Sequence, residues 1–512
     1  MRVAQKARST SVSIPAPVGG WNARDSAADM DSKDALILQN WFPAMTECRL
    51  RQGYTQWATG LPSQVETIMA YGGIASDKLF AVSNGAIYDV TNQGAVGAAL
   101  VSGLGNSRFQ YVNITNATPQ SFILAVNGAD KMRYYDGTTW SADGGTYSVT
   151  VADTSTWQSI CIHKQRVWAI QKSTLTAWYL PVSSIQGAAV KFDLSQFFRL
   201  GGTLVAVETW TIDAGAGVDD YLVFVSSKGE VLVYQGTDPS SSSTWSMKGL
   251  WRIGSPVGTR CLYKYQGDLL IICQDGLMPL SGALQSSRVN PRVALSNKIQ
   301  YAVSTAISSY STNFGWQVLN FPKENMLFLN VPVAVGSQQQ YVMNTISSAW
   351  CNFTGWNANC WELYKDMPFF GGNGIVGRAW DGYSDASTNI QASALQAYDY
   401  FGSPGQLKRF TMLKPQFRCN GVPTVLASVS VDFDTTDNTA SLTYSPATTS
   451  GTWGSAVWGT AVWGTSNLPV YQTWQGCNGV GVAAAPRVKV ACQGLDLRWV
   501  ASTIVMERGA IL

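Results

Sequence analysis

The sequence predicts an all-β protein: a β-propeller of six or seven blades with an additional β-sandwich-like platform domain. Composition is the first observation behind this reading. Only 13 % of the 512 residues are charged, while 48 glycines, 20 tryptophans and 21 tyrosines are present. Charge is roughly half as frequent as in an average chain, and aromatic residues with Ser, Thr and Gly favour strands and turns over helices. An apolar share of 46 % argues against disorder, which needs low hydrophobicity and high charge. The second observation is a hairpin that recurs along the chain. The third is its spacing.

Taken from the start, residues 1–58 read as an N-terminal arm with one short helix, packing on the platform. Ser32 is placed to cap a helix through Leu36, Ile37 and Trp41, and Pro43 ends it. The leading Arg2, Lys6 and Arg8 are followed by Ser-Thr-Ser-Val-Ser and not by an apolar stretch, which predicts no secretory leader. No run approaches the length of a membrane span, so no membrane insertion is predicted.

Residues 59–385 carry the repeat. Leu79–Ser83 meets Asn84-Gly85 and continues as Ala86–Val90, a hairpin with a tight turn. The pattern returns at Asn127-Gly128, Lys228-Gly229, Asp275-Gly276 and Asn373-Gly374, each between two apolar alternating runs. Gly85 to Gly128 is 43 residues, Gly229 to Gly276 is 47, and Gly276 to Gly374 is 98, or two steps. Less regular members lie at Ile160–Ile170 with Thr176–Tyr179, and at Met326–Leu329 with Tyr341–Met343. A period in the mid-forties with about four strands per unit is the sequence mark of a propeller blade.

Residues 386–512 break the period. Lys408–Leu413, Val425–Val431, Val488–Cys492 and Leu497–Val500 alternate as strands, which predicts the platform, completed by the N-terminal segment. Within it Trp453, Trp458 and Trp463 echo each other in Trp-Gly pairs five residues apart. Five fits neither face of a strand nor face of a helix, so an ordered loop is expected, packed on its own domain or serving as an interface anchor.

Chemistry finds little footing. The single histidine, His163, lies on an apparent strand, which excludes multi-histidine metal sites and reads as structural. Asp432, Asp434 and Asp437 form the densest acidic group; Asp432 and Asp434 are expected on one strand face, with calcium binding or acid/base work set against a solvated turn. Asp143 sits in a degenerate aspartate-box-like turn, and Asp136 in a blade-edge turn. Lys408, Arg409, Lys414 and Arg418 are the nearest thing to a nucleic-acid face, with a salt-bridged edge the simpler reading. Nine dispersed cysteines without a CxxC pair predict buried thiols and neither zinc nor a disulfide framework. No catalytic residue, metal or cofactor is predicted. The alternative kept open is a propeller glycoside hydrolase or depolymerase, or a carbohydrate-binding module.

Several blocks, in order, resemble the tail nozzle proteins (tail tubular protein B-like) of short-tailed bacteriophages. They are Pro17–Asp25, Asp34-Ala35, Leu38–Pro43 and Leu50–Tyr54, then Asn344–Trp356, Gly371-Gly372 and Arg378–Gly382, and finally the tryptophan loop. Gly19, Gly20, Trp21, Asn22, Arg24, Asp25, Asn40, Trp41, Phe42, Pro43, Arg51 and Gly53 carry the likeness as an assembly or structural motif. The resemblance implies a virion structural protein made in the host cytoplasm and resident in the virion tail. It implies a propeller joined to a platform, a homohexameric ring below a tail adaptor protein, and contact with tail fibre or spike proteins. Such a ring extends the channel, retains genomic double-stranded DNA through transient non-specific contact, and opens for ejection. A net charge of +3 suits a wall that must not hold phosphates tightly.

Overall fold

The computed structural model describes residues 9–511 except 75, 214–217, 284–290, 438 and 443–467. The chain is 55 % strand and 5 % helix, so the all-β reading holds. Besides the two-stranded pair Val149–Thr150 and Gly187–Ala188, four small sheets stand alone among the described residues. They are Gln110–Thr115 to Trp140–Ala142, Trp157–His163 to Val190–Asp193, Leu204–Asp213 to Trp245–Arg252, and Leu262–Tyr265 to Gly276–Pro279. Each is a meander of antiparallel neighbours. Three further units of the same build belong to larger sheets: Lys78–Ser83 with Ala86–Asp89, Gln317–Phe321 to Trp350–Thr354, and Cys360–Tyr364 to Asn373–Ala379. Tyr54–Tyr71 and the first strands of the other six units neighbour one another in chain order and return to the start, closing a ring of seven among the described residues.

One strand closes that ring. The 18-residue strand Tyr54–Tyr71 pairs through its first half with Asn373–Ala379 and through its second half with Lys78–Ser83. It is therefore the outer strand of the last blade and the inner strand of the first. The turn glycines fall where blades need them, between second and third strands. Ser83 pairs with Ala86 across Asn84-Gly85, and Asn84 takes φ 50°, the left-handed turn that matches strand twist. Most blade strands are apolar on both faces because a blade is covered on both sides. Leu222, Phe224 and Leu232 face one neighbour, and Val223, Val225, Val231 and Val233 the other.

The expected helix at 32–43 is absent. Asp34–Gln39 and Trp41–Pro43 are strands, divided by Asn40 at φ 59°. Asp34–Gln39 lies between Ile390–Gln396 and Trp350–Thr354, so sheet partners distant in sequence override the local cue. The described helices lie elsewhere: the longest, Gln300–Tyr310, buries Val303, Ala306 and Ile307 against the sixth blade.

Asp34–Gln39 also joins the two bodies. It connects the sixth blade to Ile390–Gln396, Ala484–Cys492, Val425–Val431 and Ala440–Leu442 in one ten-stranded sheet. The opposing platform sheet has seven strands, centred on Gln406–Cys419 and Leu497–Ile511 and carrying Ser9–Pro15, Trp41–Pro43 and Cys48–Leu50. Between the sheets Trp41, Phe410, Phe417 and Trp499 meet Leu38, Ile390, Val425 and Val488, and the same core runs on to Phe353, Trp356, Trp361 and Phe370 of the ring. The nine cysteines are free, eight of them buried. Among the described residues no helix is long and apolar enough to cross a membrane.

Candidate functional site

The N-terminal motif forms two polar clasps where ring and platform meet. In the first, the Asn22 amide donates to Asp34 at 2.8 Å and Asp25 at 2.9 Å, while its oxygen accepts the Arg24 and Asp25 N–H groups. Lys298 closes the clasp, with Nζ 2.6 Å from Asp34 Oδ1 and 2.8 Å from the Gly19 carbonyl. Gly20 has φ +88°, and a Cβ there would sit 2.7 Å from the backbone N and O of Trp350, so only glycine allows this approach. Trp21 meets Tyr341 edge-on at 5.2 Å. Arg24 pairs with Asp25 at the surface. That guanidinium, with help from the Asn22 amide, holds the Asp25 carboxyl down at about 2.

The second clasp is built on Arg51, which is 1 % exposed. Its five N–H donors are all used. Nε reaches Asn40 Oδ1 at 3.0 Å, the two Nη atoms take both oxygens of Asp385 (2.7 and 2.5 Å), and the remaining donors reach the carbonyls of Gln52 and Thr354. The guanidinium carbon lies 4.9 Å from the Trp356 ring centre. Asn40 in turn accepts the Thr354 N–H at 2.8 Å and donates to the Gln391 carbonyl at 2.6 Å. A left-handed residue joining three strands suits Asn, which tolerates that conformation. Gly53 packs directly on the Ser384 backbone, where a side chain would collide.

Flanking this clasp, Trp41 contacts Phe417 and Trp499, Phe42 meets Trp380, and the Pro43 carbonyl accepts from Asn344. The motif residues thus come together in two groups; their partners Asp34 and Thr354 lie in blocks that carry the resemblance, while Lys298 and Asp385 escaped the sequence reading. One signal existed: an arginine between Leu50 and Gly53 in a chain so poor in charge calls for a carboxylate.

Above the second clasp opens a cleft of about 860 Å³, bordered by Asn40, Arg51, Tyr54 and Asp385 and floored by the outer face of the ten-stranded sheet. Each of its three cations is engaged by protein groups. Arg51 is taken by Asp385 and Lys489 by Asp437, and Arg487 donates to the carbonyls of Thr435 and Thr436.

A second polar cluster lines the propeller axis. Arg260 Nη2 bonds Thr67 Oγ1 at 2.7 Å and the carbonyls of Phe109 and Glu66. Arg108 pairs with Glu66 and Lys264 with Glu208. Glu362 accepts the Leu363 N–H at 3.1 Å with Tyr111 and Arg260 near it, and burial pushes its carboxyl up to about 7. A cavity of about 160 Å³ lies beside this cluster, lined by Tyr111, Glu208, Arg260 and Tyr263.

The other sequence candidates scatter. His163 is buried, its Nδ1 2.9 Å from Thr209 Oγ1, and burial lowers its pKa to about 4. Asp432 and Asp434 do not share a strand face: the strand ends at Val431, and Asp432 and Phe433 turn with φ 45° and 65°. Asp432 caps the N–H groups of Val482 and Ala483, and Asp434 accepts the N–H and the hydroxyl of Thr436. Asp143 ties Val149 and Thr154 within its turn. The basic strand dissolves as a face: Lys408 is fully buried, its ammonium held by three carbonyls, and Arg418 pairs with Glu47. Trp453, Trp458 and Trp463 lie outside the described residues. Among those described, no group of three or more His, Cys, Asp or Glu converges as a metal site would.

No protein-family model and no curated protein matches the chain. Solved structures with a similar fold include the extracellular domain of the putative one-component system BT4673 from B. thetaiotaomicron, at 11 % identity and TM-score 0.41. That match covers 82 % of this chain and 59 % of the other, so the chain spans less than two thirds of that relative. BBS1N in complex with ARL6DN is 8 % identical over 64 % of this chain and 97 % of its own, with TM-score 0.39. YCF48 from Cyanidioschyzon merolae is 12 % identical over 64 % and 98 %, with TM-score 0.37.

Proposed function

We propose that this chain is an architectural protein of a short-tailed phage virion, a nozzle subunit whose copies form a ring extending the DNA channel. The observation that carries the reading is the weld. The residues that bear the family resemblance are those that fasten propeller to platform, through one continuous sheet and one continuous core. A wall that retains packaged DNA needs subunits that do not flex between domains, and a shared core resists such motion better than a linker.

The charge pattern supports the same reading. Two carboxylates on the inner strands are matched with cations, Glu66 with Arg108 and Glu208 with Lys264, in the manner of structural pairs and unlike the acid pair of a glycosidase. A closed ring needs two different contact patches per subunit. In this reading the partners are further copies, the tail adaptor, and fibre or spike proteins, with DNA touched only transiently.

Native mass spectrometry and negative-stain imaging of the purified chain, with and without a tail adaptor, test the reading. Six-fold annuli with an axial hole are expected. A stable monomer that ignores the adaptor would overturn it.

A further inference from the structure

We infer that the platform cleft beside the Arg51 clasp is a binding site for a neutral oligosaccharide. The inference concerns a site that assembly of a ring does not require, and it holds for a monomer as for a ring.

The floor of the cleft is the solvent face of four paired strands. Gln391 and Ser393 point outward from Ile390–Gln396, opposite the core residues Ile390, Ala392 and Ala394. They lie about 7 Å apart along the strand. Cross-strand pairing sets Gln39, Ser393, Lys489 and Leu426 in one row, about 14 Å long at normal strand spacing. Asn389 and Thr424 precede Ile390–Gln396 and Val425–Val431, the strands on either side of Ala484–Cys492, and also line the cleft.

The side chains of Gln391, Ser393, Asn389 and Thr424 make no hydrogen bond to protein among the described residues, although nearly every other polar group around the clasp does. All four are uncharged, and each can both donate and accept. The charged groups are already spent: Asp385 on Arg51, Asp437 on Lys489. What remains is an array that matches a ligand rich in hydroxyls and without charge. Leu426, Ile37 and the half-buried Tyr54 ring, which also line the space, supply apolar surface for the carbon face of a sugar ring. A volume of about 860 Å³ is within the range of small-ligand sites.

Two other ligand classes fit worse. An extended peptide adds to a sheet by pairing with a free edge, but this floor is a face whose main-chain groups are bonded within the sheet. A nucleic acid needs accessible, unpaired cations; Arg51 and Lys489 are both paired, and Arg487 is buried and donates to the carbonyls of Thr435 and Thr436.

The test is titration of the full-length protein with neutral hexasaccharides of the malto-, cello-, chito- and manno- series, followed by saturation-transfer NMR and calorimetry. Heparin and an unstructured octapeptide serve as charged and peptidic comparators. Saturable binding to at least one neutral series is expected at millimolar or better affinity. The N389A/Q391A double variant should weaken it about tenfold or more, while the melting temperature stays put because both side chains are solvent-exposed. Ser393→Trp, which fills the cleft from a surface position, should abolish it. No saturable binding to any neutral series, binding unchanged in both variants, or binding to heparin or peptide alone would each overturn the inference.

Discussion

The free-standing blades and the weld between ring and platform are held together by opposite means. In the fourth blade the strands Val218–Ser226, Glu230–Gly236 and Trp245–Arg252 pair with their chain neighbours, and the faces they bury are apolar. At the weld, Arg51 bonds Asp385, 334 positions away, and Thr354, 303 positions away. The blade is stabilised by non-directional burial, which tolerates exchange among similar apolar residues. The weld depends on a buried charge whose partners must all be present. The directional bonds of Arg51 and Asn40 thus lie where the two bodies meet.

The contrast can be broken most directly at Arg51. Arg51→Met strands Asp385 and removes one donor from the Asn40 oxygen and from two carbonyls, so a loss of about 3–5 kcal/mol is expected from urea unfolding. Lys131→Met, which removes an exposed pair with Asp153 in the second blade, should cost no more than about 0.5 kcal/mol. Equal losses would mean that the weld has no special standing. Arg51→Lys should behave like the methionine variant, since an ammonium cannot replace the two-pronged bond.

The axial channel gives a pH-dependent comparison. Glu362 has its carboxyl raised to about 7 from 4.5, so between those values the folded state holds a proton that the unfolded chain has released. Stability should therefore fall as pH rises through this window, by up to about 3 kcal/mol. Glu362→Gln should flatten that slope and leave the protein more stable than wild type at pH 8, with little change at pH 4. A wild-type curve without that decline would contradict the assignment.

Smaller effects sharpen the picture. Gly20→Ala should cost about 1–3 kcal/mol, because the added carbon meets the Trp350 backbone at positive φ. Asn84→Ala, at a blade turn, should cost only about 1 kcal/mol, that of placing a less tolerant residue at positive φ. Thermal melts of the two side by side decide whether junction glycines outrank turn residues.

How much was legible follows the same division. The hairpin at Asn84-Gly85 and those like it could be read because turn and strands are adjacent in the chain. Asp34–Gln39 was misread as helix because what makes it a strand lies at Trp350–Thr354 and Ile390–Gln396. Asp432 looked like a strand residue until Val482 and Ala483 came to its carboxylate. The cleft was invisible, since Gln391, Ser393, Thr424 and Leu426 are unremarkable singly and meet only through sheet pairing.

By itself, then, the order of amino acids determined the β class, the blade period and the turns, all consequences of contacts within about a dozen neighbours. Which blades merge with the platform, which carboxylate meets Arg51 and which polar side chains are left facing a cavity were decided only in three dimensions. The physical reason is that sheet partners and buried ion pairs are chosen by proximity in space, and local preference is blind to residues three hundred positions away.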